Sequence, residues 1–443
     1  MLGNVTERMG RTLLAPTCAL AGLLAALLVL LAWLPGPAAA EEAVKTGYVV
    51  VRFGAHDSLV RAFTFTTPIT HYVALQRAGL DPLATQTPHG LRLCGVGGVG
   101  RVNATGDGCD NGRFSWTLWF WDETQWAYPI GLKELTIAWD GEVFGLVWTD
   151  VWPTAPPPHG LGAVAAWRAL EWLRDQQDRQ SGGYGTLNDT IEALFAVAAN
   201  HYDADAWRRS LEAPSLLSAA LAMANQTQQA ADTGRLATAL SAAGSARGPG
   251  AQDIMAYYDA TTGQFDPNPG YHAWAMIGLR ARGATVPAEA VQALKTTQNE
   301  DGGWEFGTWS TTSDTNGTAV AIQALIAAGE AVSSTAVTRG LDYLASTQNA
   351  DGGFPYDPKS PYGTDSDTNS TAYVVQAIVA AGEDPTAGRW LKGNKHPITY
   401  LMSMQLADGT FEWQPGQGAN LLATQQAVPA LLYRPFPLRA GGG

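Results

Sequence analysis

Three acidic residues, Asp189, Asp314 and Asp367, each stand at the beginning of an apolar stretch of helical length. The residues around them are mainly Asn, Thr and Ser, which are preferred at helix N-caps. If the helices start at the same end of one structure, their carboxylates and amides converge on one mouth, as in a ligand site. The predicted ligand-binding residues are Asp189, Tyr271, His272, Trp309, Asp314, Asn316, Tyr356, Tyr362, Asp367, Asn369, Trp413 and Gln425.

Two of these aspartates lie in a phrase that the chain repeats. A Gln-Asn-x-Asp-Gly-Gly-aromatic sequence begins at Gln298 and again at Gln348, and a third copy begins at Gln405. Looser copies occupy residues 176–190 and 257–275. A fixed period near fifty residues predicts a repeat architecture rather than several independent sites.

Each repeat is expected to form two helices. The first is amphipathic, as in residues 336–348, whereas the second is apolar almost all round, as in residues 318–328 and 371–381. A helix that is apolar on every side must be covered on every side. A ring of such inner helices, jacketed by the amphipathic ones, satisfies that requirement. About six pairs fit between Leu161 and Leu432, so the predicted fold is mostly α, an (α/α)6 toroid over residues 161–435 with a small N-terminal α+β domain.

The repeated sequence motif is interpreted first as having a structural role. Its Asp, Thr and Asn residues would cap the inner helices, and Gly329 and Gly382 would end them. The aromatic residues Trp304, Phe354 and Phe411 would fill the gaps between neighbouring helix pairs.

The residues before the ring are predicted to form a separate domain, with residues 151–160 as a Pro-rich linker. Residues 46–150 are aromatic and β-branched, which is typical of strands. Cys94 and Cys109 are the pair that remains outside the N-terminal segment, and in an exported chain they are expected to form a disulfide.

Residues 1–40 are interpreted as a signal peptide or membrane anchor. Arg8 and Arg11 precede an apolar run from residue 13 to residue 34, and a small-residue cleavage site follows. The chain is therefore expected to be extracytoplasmic, secreted or held by a transmembrane helix. The net charge of −13 and the absence of a basic stripe argue against a nucleic-acid partner.

The phrase at residues 298–304 resembles the repeat of the squalene-cyclase and prenyltransferase superfamily, whose fold is an α/α toroid. A class II terpene cyclase of that superfamily implies an Asp-x-Asp-Asp motif as the general acid. The string Asp365–Thr368 stands nearest to it, with Asp367 in the place of the protonating residue and Thr368 in place of the last aspartate. The zinc site of the prenyltransferases needs a cysteine, and none occurs from residue 110 onward, so that activity is excluded.

Residues 46–150 resemble the small β-rich domain of the transcobalamin and intrinsic-factor group, in the segments 72–80, 114–121 and 139–148. That group pairs the domain with a toroid and holds cobalamin between them. The resemblance implies that Asp189, Asp314 and Asp367 face the amides of a corrinoid. No metal and no other cofactor is implied, because the histidines show no ligand spacing.

The resulting expectation is an exported, non-catalytic ligand-binding protein, with a corrinoid as the first candidate ligand in the toroid mouth or interdomain cleft. Two alternatives are a surface structural or adhesion protein and a class II terpene-cyclase-like enzyme that uses Asp367 as general acid. A glycoside hydrolase would need a pair of carboxylates at a defined separation. The available carboxylates are Glu171, Glu192, Glu305 and Asp367.

Overall fold

The computed structural model describes residues 43–88, 90–127, 136–151, 155–307 and 312–438. The predicted signal or anchor, residues 1–40, and the candidate Trp309 lie outside the described residues, so export of the chain stays a prediction. No helix within the described ranges is both long and apolar enough to cross a membrane. The described residues from Lys45 onward form one compact unit.

The N-terminal region is built on a five-stranded sheet. Its strands are β1 (Lys45–Gly54), β2 (Asp57–Phe65), β6 (Ser115–Trp121), β7 (Trp126–Ala127) and β9 (Val143–Thr149), in the spatial order β2-β1-β9-β6-β7. Strands β1 and β9 are parallel, and the other neighbours are antiparallel. The edge strand β2 is therefore left with one unpaired side.

Shorter elements complete this region. They are β3 (Ile69–Thr70), α1 (His71–Arg77), β4 (Leu83–Thr87), β5 (Gly90–Gly95) and β8 (Thr136–Ile137). Helix α1 packs on the sheet face that carries Phe63 and Phe144, which are buried. Cys94 at the end of β5 is joined to Cys109 by a disulfide.

Within the described residues, six helices that are buried on nearly every side form a closed inner ring. They are α3 (Leu187–Ala199), α5 (Ala230–Ala242), α7 (Pro269–Ala281), α9 (Thr315–Ala327), α11 (Thr368–Ala380) and α13 (Leu421–Leu431). Each packs on the next in this order, and α13 packs on α3. The central space that they surround is called the lumen below.

In the part of the chain that the structure describes, six outer helices surround this ring. They are α2 (Gly160–Gln176), α4 (Leu216–Ala222), α6 (Ala251–Met255), α8 (Ala288–Thr296), α10 (Thr335–Thr347) and α12 (Pro397–Ser403). Two short 3-10 segments, Ala224–Gln226 and Gly388–Trp390, and a small ladder of β10 (Phe411–Glu412) with β11 (Ala419–Asn420) lie between the helices. The predicted fold class, an (α/α)6 toroid with a small N-terminal α+β region, is confirmed.

The repeated glutamine joins consecutive repeats. Its side-chain amide donates to the glycine carbonyl four or five residues on, and also to a backbone carbonyl of the next repeat. The donors are Gln177, Gln298, Gln348 and Gln405, and their acceptors in the next repeat are Trp207, Ala336, Trp390 and Ala165. Ala165 belongs to α2, so Gln405 joins the last repeat to the first and closes the ring.

The unpaired side of β2 is covered by the ring, at the C-terminal ends of the inner helices. The side chain of Asn200 accepts from Val60 N at 2.7 Å and donates to Val60 O at 3.2 Å. The Ser58 hydroxyl donates to Leu432 O. Because an exposed edge strand invites pairing with other chains, these contacts protect the sheet as well as fix it to the ring.

Candidate functional site

Asp314 and Asp367 are the N-caps of α9 and α11, and both side chains are buried, with 3 % and 2 % exposure. The two oxygens of Asp314 accept from the backbone N–H groups of Gly317 at 2.6 Å and Phe306 at 2.6 Å. Asp367 accepts from Ser370 twice, from its backbone N at 2.8 Å and from its hydroxyl at 2.8 Å. Both carboxyls therefore bind donors of their own chain first.

Burial changes the acidity of these two caps. It raises the pKa of Asp314 to about 7 against the opposing effect of the Gly317 and Phe306 donors. It raises the pKa of Asp367 to about 6, although hydrogen bonds from Ser370 and Trp413 act in the other direction. The physical cause is that a buried carboxyl loses the hydration that stabilises its charged form. Two buried carboxyls, each with a pKa raised by burial, thus lie at the same end of the ring.

Aromatic loop residues cover the first turns of three inner helices. The carbonyl of Phe306 accepts from Gly270 N, that of Tyr356 from Thr315 N and that of Trp413 from Thr368 N, each at 2.9 Å. Tyr356 and Trp413 are 39 % and 42 % exposed. The predicted residues Asp314 and Tyr356, and likewise Asp367 and Trp413, are therefore brought together at the mouth formed by the inner-helix N-termini.

Asp189 lies in the first turn of α3 and is not its cap, because the helix begins earlier than its polar residues suggest. Thr186 is the N-cap; its hydroxyl accepts from Asp189 N at 3.1 Å and donates to the Asp189 carboxylate at 2.7 Å. Gln425 is buried in α13 and donates to Asp189 O at 2.9 Å. These two predicted residues therefore lie together, where α13 meets α3.

The two asparagines lie in the first turns of α9 and α11. Asn369 donates to Gln426 Oε1 at 2.7 Å. Within the described part of the chain, the buried Oδ1 of Asn316 has no hydrogen-bond partner. Tyr271 packs edge-on against Phe306, with 5.7 Å between ring centroids.

His272 has a structural role, which the repeat register explains. In four repeats the backbone N–H of the repeated aromatic residue donates to a threonine that lies four residues after the N-cap. These threonines are Thr190, Thr318, Thr371 and Thr424. His272 occupies the same position in α7, where its Nδ1 accepts from Phe265 N at 3.0 Å and its Nε2 contacts Ala290 O at 2.9 Å. Both ring nitrogens are thus used within the fold.

The remaining predicted residues do not converge with these. Tyr362 is 97 % exposed in the loop before α11. Of the carboxylates considered for a hydrolase, Glu171 is exposed on the outer helix α2 and Glu305 is half-buried in a loop, whereas Glu192 is buried inside the ring. Within the described residues, no group of three or more His, Cys, Asp or Glu side chains could hold a metal ion.

A second group of residues faces the lumen, and most of it was not predicted. It consists of the sixth residue after each inner-helix N-cap and is called the lumen layer. Its members are Glu192, Arg235, Trp274, Val320, Tyr373 and Gln426. Counting six residues from the two correctly predicted caps, Asp314 and Asp367, reaches only Val320 and Tyr373, and the caps of the other four inner helices were not predicted.

Polar contacts join the lumen layer across the ring. Arg235 donates to Glu192 Oε1 at 2.5 Å, and Gln426 donates to the same oxygen at 3.1 Å. The Arg235 guanidinium lies 5.5 Å from the centroid of Trp274, which contacts Tyr373 edge-on at 6.4 Å. A buried charge is tolerated when it is paired and hydrogen-bonded, and both conditions hold for Glu192 and Arg235.

A cleft of about 610 Å³ lies between the sheet and the C-terminal ends of the inner helices. Phe53 and Trp148 of the sheet line it together with Phe114, which stacks on Trp148 with 5.5 Å between centroids. Asp57 of β2 and His201, which follows α3, also line the cleft and lie 2.6 Å apart. Burial raises the pKa of Asp57, but His201 and the buried Arg434 outweigh it and hold that pKa below its ordinary value.

Comparisons with known proteins concern the ring. A family model described as the squalene-hopene cyclase C-terminal domain matches residues 275–424. The drimenyl diphosphate synthase of Streptantibioticus cattleyicolor is 34 % identical over 100 residues, which span 23 % of this chain and 18 % of that relative. Residues 275–424 of this chain are therefore similar to a domain of a cyclase, and the match to the synthase spans less than a fifth of that relative.

Solved structures with similar folds include enzymes of two chemistries. The type II terpene cyclase MstE from Scytonema has a TM-score of 0.44 and 13 % identity, covering 61 % of this chain and 97 % of that one. ent-Copalyl diphosphate synthase from Streptomyces platensis has a TM-score of 0.38 and 17 % identity, covering 56 % and 50 %. A glycosyl hydrolase of family 88 from Bacteroides vulgatus has a TM-score of 0.40 and 11 % identity, covering 62 % and 98 %. Nothing about the reaction follows from likenesses this distant.

The sequence matches correct the expectation of a non-catalytic binding protein and of a chain that is not an enzyme. The family model is that of a cyclase and the matched relative is a synthase. The corrinoid ligand is withdrawn with that expectation. Its supposed contacts are also occupied, because Asp314 and Asp367 already accept hydrogen bonds from their own helices and loops.

Proposed function

We propose that the chain is a class II terpene-cyclase-like enzyme in which Asp367 protonates a carbon–carbon double bond of a linear prenyl substrate. The observation that carries the proposal is the cyclase match over residues 275–424, because that segment contains the buried Asp367, whose pKa is raised by burial. A carboxyl must be protonated before the reaction to act as an acid, and burial is the means by which proteins keep it so.

Asp367 is preferred to Asp314 because of its hydrogen-bond partners. Both oxygens of Asp314 face backbone N–H groups, which can only donate. One oxygen of Asp367 faces the Ser370 hydroxyl, which can turn to accept from the protonated acid. When Asp367 is protonated, its hydroxyl can therefore donate to Ser370, and when it is ionised it can accept from Ser370.

The reaction would be an isomerisation, because the substrate gains one proton and the product cation loses one. The Asp367 hydroxyl gives its proton to the terminal double bond, which forms a C–H bond and leaves a tertiary cation. The π electrons of the next double bonds then form the ring C–C bonds. Loss of a proton to water or a neighbouring base gives the cyclic alkene, and the aspartate is reprotonated from solvent. The exposed Trp413 at the same mouth offers an aromatic face to the cation.

The test is product formation from squalene, farnesyl diphosphate and geranylgeranyl diphosphate by the full chain, followed by gas chromatography and mass spectrometry. Asp367→Asn keeps an N-cap and removes the acid. We expect it to lower the rate at least about a hundredfold, as for the loss of a general acid. Asp314→Asn, the matched buried cap, should keep forming the product. An undiminished rate for Asp367→Asn, or no cyclic product from the wild type, would refute the proposal.

The resemblance of residues 46–150 to the small domain of the transcobalamin group is kept as a proposal about fold alone. Support comes from the three matching segments, and a solved structure of this region superposed on that domain would test it. We infer no ligand from this resemblance.

A further inference from the structure

The cleft of about 610 Å³ lies at the end of the ring opposite the mouth that contains Asp314 and Asp367. Ala198 and Ala242, at the C-terminal ends of α3 and α5, line it on the side of the ring. Small-molecule sites are concave, have volumes of roughly 300–1,000 Å³ and combine aromatic side chains with a few polar groups. The cleft therefore has the size of such a site, and it shares no residue with the proposed acid site.

The side chain of Asp57 brings a negative charge to this cleft. Its Oδ1 contacts His201 Nε2 at 2.6 Å and accepts from Arg434 Nη1. Its second oxygen, Oδ2, has no hydrogen-bond partner among the described residues, and the side chain is 20 % exposed. Burial acts to raise the pKa of Asp57, but His201 and Arg434 keep that pKa below its ordinary value, so the carboxylate is charged at neutral pH. An ionised oxygen is thus open to a donor in the cleft.

The residues that line the cleft carry an excess of negative charge. Asp203 is exposed and adds a second carboxylate, whereas no Lys or Arg lines the cleft in the described part of the chain. Arg434 is fully buried behind Asp57, and its charge offsets only one of the two carboxylates. The cleft therefore favours a cation over a neutral molecule or an anion.

Aromatic rings supply the second feature that an organic cation recognises. Phe114 stacks on Trp148 with 5.5 Å between centroids, and Phe53 and Tyr202 also line the cleft. The face of an aromatic ring is negative and attracts a cation within about 6 Å of its centroid. A cation of the chain itself already has this relation to the stack, because the Arg113 guanidinium lies 5.9 Å from the Phe114 centroid. Carboxylate and aromatic faces together match an ion with a charged nitrogen and an apolar body.

We propose that this cleft binds a small organic ammonium ion, whose nitrogen donates to Asp57 Oδ2 and whose apolar part lies against Trp148 and Phe114. The site is separate from the acid at the mouth, so the inference does not depend on the proposed function. It also differs from the withdrawn corrinoid site, because it takes a small cation and uses none of the inner-helix caps. The competing interpretation is that the cleft is a water-filled gap where the sheet meets the ring.

The experiment measures binding of 2-phenylethylamine to the full chain by isothermal titration calorimetry at neutral pH, where the amine is a cation. The neutral counterpart is 2-phenylethanol, which has the same number of heavy atoms. We expect the amine to bind at least about tenfold more tightly, since a charge-assisted hydrogen bond is stronger than a neutral one. Asp57→Asn removes the charge and should weaken binding of the amine by a similar factor. Asp259→Asn removes an exposed carboxylate outside the cleft and should leave the Kd unchanged.

A second pair of variants tests the aromatic wall. Trp148→Leu removes one aromatic face and should raise the Kd of the amine at least about threefold. Trp139→Leu is the matched control, because Trp139 is 76 % exposed and does not line the cleft. Non-specific attraction of the amine to an acidic protein would respond to neither substitution.

Absence of saturable binding of the amine, equal affinity for the amine and the alcohol, or equal Kd values for Trp148→Leu and Trp139→Leu would each overturn the inference. If Asp57→Asn does not fold because Arg434 loses its partner, the ratio of amine to alcohol affinity and the tryptophan pair decide the question without it.

Discussion

Asp314, the buried N-cap of α9, should make the protein less stable as the pH rises, which is the opposite of what most carboxyls do. Burial raises the pKa of Asp314 from 3.8 to about 7 in the folded state. A folded-state pKa above the unfolded one means that the protonated acid stabilises the fold at low pH. That contribution is lost as the pH rises through about 7. The gap between about 7 and 3.8 sets a ceiling of about 4 kcal/mol on the loss.

Asp314→Asn isolates this contribution. Asparagine caps helices as well as aspartate but does not titrate. Its single acceptor oxygen leaves either Gly317 N or Phe306 N without an acceptor, which costs about 1–3 kcal/mol at every pH. Apart from that constant loss, the unfolding free energy of the variant should rise relative to that of the wild type as the pH rises from about 4 to about 8.

Urea unfolding, followed by tryptophan fluorescence across this pH range, measures the difference in unfolding free energy between the two proteins. Asp259→Asn is the control, since Asp259 lies in an exposed turn where hydrogen bonds from Thr261 lower its pKa. Between pH 4 and pH 8 this pair should show almost no change in the difference, because a carboxyl with a lowered pKa titrates below that range. A difference between Asp314→Asn and the wild type that stays constant with pH, or moves against the variant, would refute the burial argument.

Three further predictions concern packing and cross-links. Arg434→Met should lower the unfolding free energy by about 3 kcal/mol, because it leaves Asp57 without its buried partner; an unchanged urea midpoint would contradict this. Cys94→Ser opens a disulfide that spans 15 residues and should cost roughly 3 kcal/mol. Since the sheet is bonded to the ring, calorimetry should show one lowered transition rather than an unaffected second one. Gly234→Ala should destabilise α5 against α7, because a Cβ there would lie 2.4 Å from Trp274 O; thermal melting measures this, and Gly250→Ala, where no such backbone contact occurs, is the control.

The ring could be predicted because its determinants are local and repeated. Apolar residues on every side of 318–328 and 371–381 require an inner position, and Asp314 and Asp367 cap the helices as their residue types suggest. The position of the α3 cap was missed, because Thr186 and Asp189 are both good capping residues and only the backbone geometry decides between them.

The contents of the ring could not be predicted in the same way. Arg235 and Trp274 are ordinary residues in their own helices, and they become neighbours of Glu192 and Tyr373 only when the ring closes. Phe436 lies outside every repeat, so no periodicity points to it. The pairing of Asn200 with Val60 joins residues that are 140 positions apart, and no local pattern encodes such a contact.

The hydrogen bond from Gln405 to Ala165 has a consequence for how the molecule opens. A stack of repeats with two free ends can fray, because its outermost unit has a neighbour on one side only. Here each inner helix has a neighbour on both sides, so no unit is the natural place for unravelling to begin. Loosening any one repeat means separating two interfaces at once. Amide protons in all six inner helices should therefore exchange at rates set by a shared opening event, rather than in a gradient from one end of the chain to the other.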